Sequence, residues 1–314
     1  MVGIITVVRN EKSNLESFYR ALLAQSYKNF SLYFVDSGST DGSEELFRSL
    51  NSKQQIKVKY IRLDYNAGYA AGSNLGAKAA IDDGCNYLLI LNNDAELDKN
   101  CLAELVKLAE TVPNAACIGP LVFRNRTRFP GLIQEYGGKI DFHRGSVVKN
   151  FANKKVGEVS IPEIVESDFV GGCAMLVRSD VFAEAGMFEE AYFMYLDEID
   201  FYYRLTRILT PGKHRIYVTS KAIVYHNHPL QAETKEKKRS YYIEYYLTER
   251  NKFLFFKKYG LASSIIFSVL TDLLKFPWRL LWFIKVCDFR LGIYYLRGIF
   301  AGLRGESGKP EFIA

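Results

Sequence analysis

The chain has 314 residues, 48% hydrophobic and 24% charged, with a formal net charge of +6. That is an ordinary globular composition with apolar material for one large core or two smaller ones, and it excludes a disordered or low-complexity chain. Residues 235–304 carry fourteen Lys/Arg against five Asp/Glu, which leaves −3 for the rest of the chain; a mildly acidic catalytic part argues against a general nucleic-acid-binding surface.

In chain order, apolar runs bounded by turn residues predict strands at 2–8, 30–36, 57–63 and 87–92. Helical patterns fall between them near 13–25, 43–50, 72–83 and 99–111. The alternation predicts an α/β fold with a mostly parallel sheet and right-handed crossovers. Strand-like pieces follow at 117–123, 137–142 and 173–178, around an irregular stretch over 124–167. The five cysteines (Cys85, Cys101, Cys117, Cys173, Cys287) are scattered and form no Cys-x-x-Cys pair. That pattern argues for reduced thiols and against a zinc site or disulfide framework. The N-terminus opens directly on a strand with no basic segment and cleavage site, so a cytoplasmic protein is expected.

Val35-Asp36-Ser37-Gly38-Ser39-Thr40-Asp41-Gly42-Ser43 links the second strand to a helix. Ligands of open α/β sheets bind at such strand ends. An acidic residue there suits a pyrimidine ring N–H or a ribose hydroxyl and repels phosphate. The plainer alternative is a capped turn, with Asp41 or Ser43 as N-cap and Glu44-Glu45 in the first helical turn. A Gly-x-Gly-x-x-Gly dinucleotide fingerprint is excluded, because Arg9-Asn10-Glu11 stands where its glycines belong. An EF-hand is disfavoured by Gly38 and Thr40 at ligand positions. Two more segments carry signal: Asn66-Ala67-Gly68-Tyr69-Ala70-Ala71-Gly72-Ser73-Asn74-Leu75-Gly76, a turn entering a helix, and the strand Tyr87–Leu91 delivering Asn92-Asn93-Asp94.

In this order the segments resemble glycosyltransferase family 2, the inverting GT-A enzymes that use sugar nucleotides; the stretch from Asn66 looks most like the rhamnosyltransferase-type branch. The resemblance runs from residue 2 to about residue 260. It implies a GT-A fold, α/β with a mostly parallel mixed sheet, followed by C-terminal amphipathic helices. The catalytic domain would cover 1–230, its nucleotide-sugar half about 1–120 and its acceptor half about 121–230, with a basic, aromatic tail over 231–314. Nucleotide-sugar contacts are implied for Thr6, Val8, Asn10, Asp36, Gly38, Ser39, Asn66, Gly72, Asn74, Asn92, Asn93 and Asp94.

Asn92-Asn93-Asp94 stands in place of the family's Asp-x-Asp motif, with Asn92 a neutral oxygen donor where an acid is usual. Mg²⁺ or Mn²⁺ prefers such hard oxygen ligands alongside phosphate and water. An Asx-turn that caps the strand and starts a helix at Leu97-Asp98 is the alternative. Phe193 to Arg204 resembles the acceptor-site motif. The general base by position is Glu198, but the order Asp197-Glu198 reverses the usual Glu-Asp and leaves Asp197 open. Asp200 and Arg204 belong to the same acceptor or donor-sugar region, with an i,i+4 salt bridge as their ordinary explanation. Gly171-Gly172 would let backbone approach the sugar, unless they mark a β-bulge. Of His226 and His228 after an apolar run, His226 fits the additional metal or diphosphate ligand; a satisfied polar residue is the alternative.

Beyond residue 231, Tyr241, Tyr242, Tyr246, Arg250, Asn251 and Phe253 resemble the helix that follows the catalytic domain in this family. The longest uncharged run, Tyr259 to Thr271, has thirteen residues, short of the ~20 a membrane span needs. Phe276, Trp278, Trp282 and Phe283 alternate with Lys275, Arg279 and Lys285, which suits a helix in the headgroup region of an anionic membrane. Packing on the catalytic domain or a dimer partner is the alternative. The expected activity is transfer of a sugar, with L-rhamnose suggested by the branch, from a dTDP- or UDP-sugar to a glycan or lipid-linked acceptor in cell-surface polysaccharide biosynthesis. The enzyme would lie peripherally on the inner membrane face. A sugar-phosphate nucleotidyltransferase would need a basic Gly-rich loop near the N-terminus, which is missing. A non-catalytic scaffold is disfavoured by Asp36, Asp94 and Glu198.

Overall fold

The computed structural model describes residues 1–142, 146–209, 212–227, 235–285 and 288–313. The chain divides into two compact units. The first comprises Met1–Lys139, Val148–Phe188 and Phe201–His228; the second comprises Ile140–Val147, Glu189–Asp200 and Pro229–Ala314.

The first unit opens with β1 (Val2–Val8), α1 (Leu15–Leu23), β2 (Phe30–Ser37), α2 (Ser43–Leu50), β3 (Val58–Leu63), α3 (Gly68–Asp82) and β4 (Tyr87–Leu91). Each strand is a short run of Val, Ile, Leu and aromatics, and each helix carries one apolar stripe, so every crossover returns to a parallel strand. The pairs β1–β2, β1–β4 and β2–β3 are all parallel. The chain continues through β5 (Ala95–Leu97), α4 (Cys101–Thr111), β6 (Ala115–Arg124), β7 (Ile133–Glu135), β8 (Gly138–Asp141), β9 (Ser146–Lys149), β10 (Ile164–Ser167), β11 (Ala174–Arg178), α5 (Ser179–Glu184), α6 (Asp197–Tyr203) and β12 (Arg215–His226). The sheet order is β10-β12-β6-β11-β4-β1-β2-β3, with β5 on β12 and β7 on β6, while β8 and β9 form a separate ribbon. Because β11 runs antiparallel to both β4 and β6, the sheet is mixed in its second half.

Alternate residues of the strands fill the two faces. Val2, Ile4, Leu32, Phe34, Leu89 and Leu91 pack with Leu15, Phe18, Phe47 and Leu102 from α1, α2 and α4 in one buried cluster. On the other face α3 lies very close to β1: a Cβ at Gly72 would come within 2.8 Å of Val7, and one at Gly76 within 2.7 Å of Ile5. Small residues in α3 are thus the condition for this helix to seat. Four cysteine thiols, Cys85, Cys101, Cys117 and Cys173, are buried and unlinked; Cys287 lies outside the described residues.

The second unit is built on α7 (Lys235–Lys258), α8 (Ala262–Lys285) and α9 (Arg290–Arg304). Helices α7 and α9 approach until Gly298 and Gly302 meet the backbone carbonyls of Tyr246 and Arg250 at Cβ distances of 2.4 and 2.5 Å. Between α7 and α8 lies a polar cluster: Lys252 reaches Asp272 at 2.9 Å and Glu249 at 2.5 Å, and Arg279 lies 3.6 Å from Glu249. No described helix is long and apolar enough to cross a membrane.

Candidate active site

The parallel register sets Val8 beside Asp36 and Asp36 beside Arg62, so three strand ends meet at the carboxyl edge of the sheet. Asp36 is wholly buried. Its carboxylate accepts from the Ser39 backbone N–H at 2.8 Å, the Tyr60 hydroxyl at 2.8 Å and the Arg62 guanidinium at 2.5 Å. Burial alone would raise this carboxyl, but these donors outweigh it and hold the group below the usual carboxylate range. The loop that follows turns through Gly38 at φ +74°, a left-handed conformation that glycine adopts without Cβ strain. Arg9 donates to the Ser37 and Gly38 carbonyls at 2.8 and 3.0 Å. Asn10 receives the Thr40 N–H at 2.8 Å and gives its own backbone N–H to the Ser39 hydroxyl. Asn66 accepts from the Gly68 N–H at 3.1 Å, and Ser37 from the Ala67 N–H at 2.8 Å, which stitches the second turn to the first.

Several residues expected at the nucleotide are buried in the fold. Val8 is fully buried in the apolar core, and Thr6 is buried as well. Gly72 serves the helix–strand contact described above. Asn74 clamps Phe188, donating to its carbonyl and accepting from its N–H, both at 2.9 Å. All four positions are thus buried in the packing of the first unit. Asn93 ties the end of β4 to β1 by donating to the Val7 carbonyl at 3.2 Å.

The chain does not enter a helix after Asp94; it forms β5, whose antiparallel register puts Ala95 opposite His226. That pairing, invisible to local pattern, brings the His226 Nε2 within 3.2 Å of the Asp94 Oδ1. Behind the imidazole, the Gln134 amide nitrogen lies 2.8 Å from Nδ1. A Gln134 amide turned so that its oxygen accepts from Nδ1–H would make Nε2 the unprotonated nitrogen, the tautomer that a metal ligand requires. A carboxylate and an imidazole nitrogen this close can share one divalent ion, so the residues present fit such a group. Among the described residues no three His, Cys, Asp or Glu side chains converge to hold an ion on their own. His228 lies outside the described residues. Close by in the same unit, the Gly172 carbonyl accepts from the Tyr69 hydroxyl at 3.1 Å. A Cβ at Gly171 would meet the Glu135 carboxylate at 1.6 Å, so a side chain there would have to displace that carboxylate.

In the second unit, Phe193, Tyr195 and Leu196 hold φ values of +66°, +67° and +62° just before α6. Bulky residues rarely tolerate that region. The loop is held by Asn251 of α7, whose amide donates to the carbonyls of Tyr192, Met194 and Tyr195 at 2.8–3.0 Å. Arg250, buried beside it, donates to the Tyr192 and Gly308 carbonyls. These two residues hold the loop that leads into Asp197 and Glu198, a role that sequence reading did not assign; their consecutive placement in an aromatic helix was the available signal.

Asp197 is buried, and among the described residues its Oδ2 has no hydrogen-bond partner. Burial, reinforced by the neighbouring Glu198 charge, pushes its carboxyl well above the usual range. Glu198 is half-exposed. Asp200 is not a surface group: it is fully buried and meets the Tyr192 and Tyr259 hydroxyls at 3.1 and 2.7 Å and Lys258 at 3.0 Å. Arg204 donates to the Ala185 and Met187 carbonyls. Asp200 and Arg204 therefore brace the elements on either side of α6, with Asp200 buried and not on the surface.

Known proteins bear on this arrangement. Residues 3–182 match the model of glycosyl transferase family 2. The chain is 25% identical over 265 residues to a low-salt glycan biosynthesis hexosyltransferase of Haloferax volcanii, covering 81% of this chain and 78% of that protein. It is 24% identical over 249 residues to an N-acetylglucosaminyl-diphospho-decaprenol L-rhamnosyltransferase of Mycobacterium tuberculosis, covering 72% and 76%. A mannosyltransferase of Pyrobaculum calidifontis, solved in complex with GDP-Man and Mn²⁺, superposes with a TM-score of 0.58 at 13% identity over 96% of this chain and 86% of that one. The strand order, the loop at Asp36 and the matched family model agree: the chain belongs to glycosyltransferase family 2 and is a glycosyltransferase of GT-A fold.

Proposed function

We propose that the protein is an inverting, divalent-metal-dependent transferase that moves a hexose, with L-rhamnose the favoured candidate, from a dTDP- or UDP-sugar to a glycan or lipid-linked acceptor. The observation that carries the reading is the Asp94–His226 pair at 3.2 Å, held at the same sheet edge as the Asp36 loop. The rhamnosyl transfer named for the mycobacterial relative and the glycan role named for the haloarchaeal one support the sugar and the setting. We place the reaction at the cytoplasmic face of a membrane, where a lipid-linked acceptor would be presented.

In this reading Asp36 accepts from the ring N–H of the base, while Ser39, Arg62 and Tyr60 keep the carboxylate ionised and oriented. Asp94 and His226 would hold the metal, with Asn92 as a neutral neighbour, and the ion would neutralise the departing diphosphate. Glu198 takes the proton of the acceptor hydroxyl, because it is the accessible member of the pair. Asp197, buried and resistant to ionisation, keeps the pair from carrying two charges and orients Glu198. One displacement inverts the anomeric carbon.

Isothermal titration with UDP-, dTDP- and GDP-sugars, with and without Mg²⁺ or Mn²⁺, tests the reading. Metal-dependent binding of a dTDP- or UDP-sugar is expected. Full turnover in excess chelator would remove the metal role, and binding of no nucleotide sugar would favour a scaffold protein.

A further inference from the structure

Helix α8 buries polar side chains along much of its length. Its protein-facing side presents Ser264, Ser268 and Asp272, all buried, with Asp272 in the polar cluster with Lys252 and Arg279, and near its end Phe283, buried against Tyr242 and Leu291. Its outward side is apolar: Ile266, Leu270, Leu273, Leu274, Trp278 and Trp282 are all exposed, Leu274 to 77% and Trp278 to 75%. A helix of a globular protein in water places these two sides the other way round. The neighbouring α9 extends the surface with exposed Ile293 and Phe300. Together they form an apolar patch of the kind that marks an interaction surface.

The charges say what covers it. The exposed ionised residues of α8 and α9 are Lys275, Lys285, Arg290, Arg297 and Arg304, every one cationic. The sole acid within the two helices, Asp272, faces inward. Arg290 and Arg304 pair with Asp288 and Glu306 just outside α9, but a second copy docked about a two-fold axis through α8 would set Lys275 and Lys285 against the same cations with no outward-facing acid of α8 to relieve them. Headgroups of an anionic bilayer supply the missing charge, and the acyl boundary accepts the apolar side. Trp278 and Trp282 suit the interface between the two. No described helix can cross the membrane, so the geometry is that of a helix lying in its surface.

We infer that the outward face of α8, extended by α9, docks the enzyme on anionic lipid, burying its apolar side chains in the headgroup–acyl boundary. The inference rests on the membrane-face setting proposed above and assigns it to one helix face, with the buried polar cluster as its rigid backing.

Sedimentation of the full chain with phosphatidylglycerol or phosphatidylcholine vesicles tests it. Binding should favour the anionic vesicles and weaken as salt rises. The double variant Leu274→Ser/Trp278→Ser should bind at least tenfold more weakly, and Lys275→Glu/Lys285→Glu should lose the preference for phosphatidylglycerol. Both sites are exposed, so unchanged thermal unfolding is expected and is measured alongside. Equal binding of parent and double variant would overturn the inference. So would the absence of binding to phosphatidylglycerol at low salt, or light scattering that shows a parent dimer which the double variant converts to monomer. Nucleotide-sugar titration of the same proteins separates the two readings. Vesicle binding without nucleotide-sugar binding sinks the catalytic proposal alone, and the reverse result sinks the docking face alone.

Discussion

At the residue scale, Asp36 joins the fold to the proposed base pocket. Asp36→Asn keeps the shape but removes the charge, and it leaves Arg62 without its closest anion. We expect nucleotide affinity to fall by about 1.5–3 kcal/mol, the range for hydrogen bonds to a charged group, measured by titration with UDP and dTDP; unchanged affinity for both would remove Asp36 from base recognition. The carboxylate pair gives a second expectation. Glu198→Gln should lower kcat by about 10²–10⁴ with donor affinity unchanged, and Asp197→Asn should cost less. If Asp197→Asn proves the more damaging, the roles are reversed. Asp197 also carries a pH signature. Its folded-state pKa lies above the unfolded value of about 3.9, so the contribution of the neutral carboxyl is complete below that value and is lost as pH rises through the raised one. Urea denaturation over a pH series should therefore show Asp197→Asn gaining stability relative to the parent as pH rises. Asp36, Asp94 and His226 were legible in the sequence because each ends an apolar run. Arg62 and Gln134 were not, since they reach the site only through strand register and a long-range contact, which a local pattern does not encode.

At the scale of elements, the loop Phe193–Leu196 and the helix α7 form one device. Three left-handed, bulky residues are kept in place by a single amide. Asn251→Ala would leave three carbonyls without that donor. We expect kcat to drop with nucleotide binding intact, and a stability loss of roughly 1–3 kcal/mol, the cost of unsatisfied buried groups. A stability loss with unchanged kcat would make Asn251 purely structural. The sequence announced α7 but not its task, because the carbonyls it serves lie 56–59 positions away. The same limit applied to strands. β1, β2, β3 and β4 are self-contained apolar runs and were read close to their observed bounds. β5, β7 and β10 are three or four residues long and exist only because distant partners fill their hydrogen bonds. β12 spans twelve residues, of which only the apolar end around Ala222–Val224 stood out. The register break between Thr219 and Ile223 interrupts its alternation.

At the scale of the whole molecule, the acidic N-terminal part and the basic C-terminal part follow the division of labour proposed above: nucleotide sugar in the first, lipid surface in the second. Chemistry of a different kind follows from the four buried thiols. Burial pushes Cys85, Cys101, Cys117 and Cys173 upward from their ordinary pKa, with Glu135 and Asp94 adding to the effect at Cys173. Thiolate is the reactive form, so each is doubly silent while the first unit stays closed. In a Cys287→Ser background, labelling by an aromatic disulfide reagent should be negligible in native buffer and should rise to four equivalents in denaturant. Fast labelling of native protein would contradict the packing of α4, β6 and the segments before β4 and β11. The enzyme thus carries its own clock for unfolding: the rate at which its thiols appear reports how often its central sheet opens, with no dye, tag or substrate required.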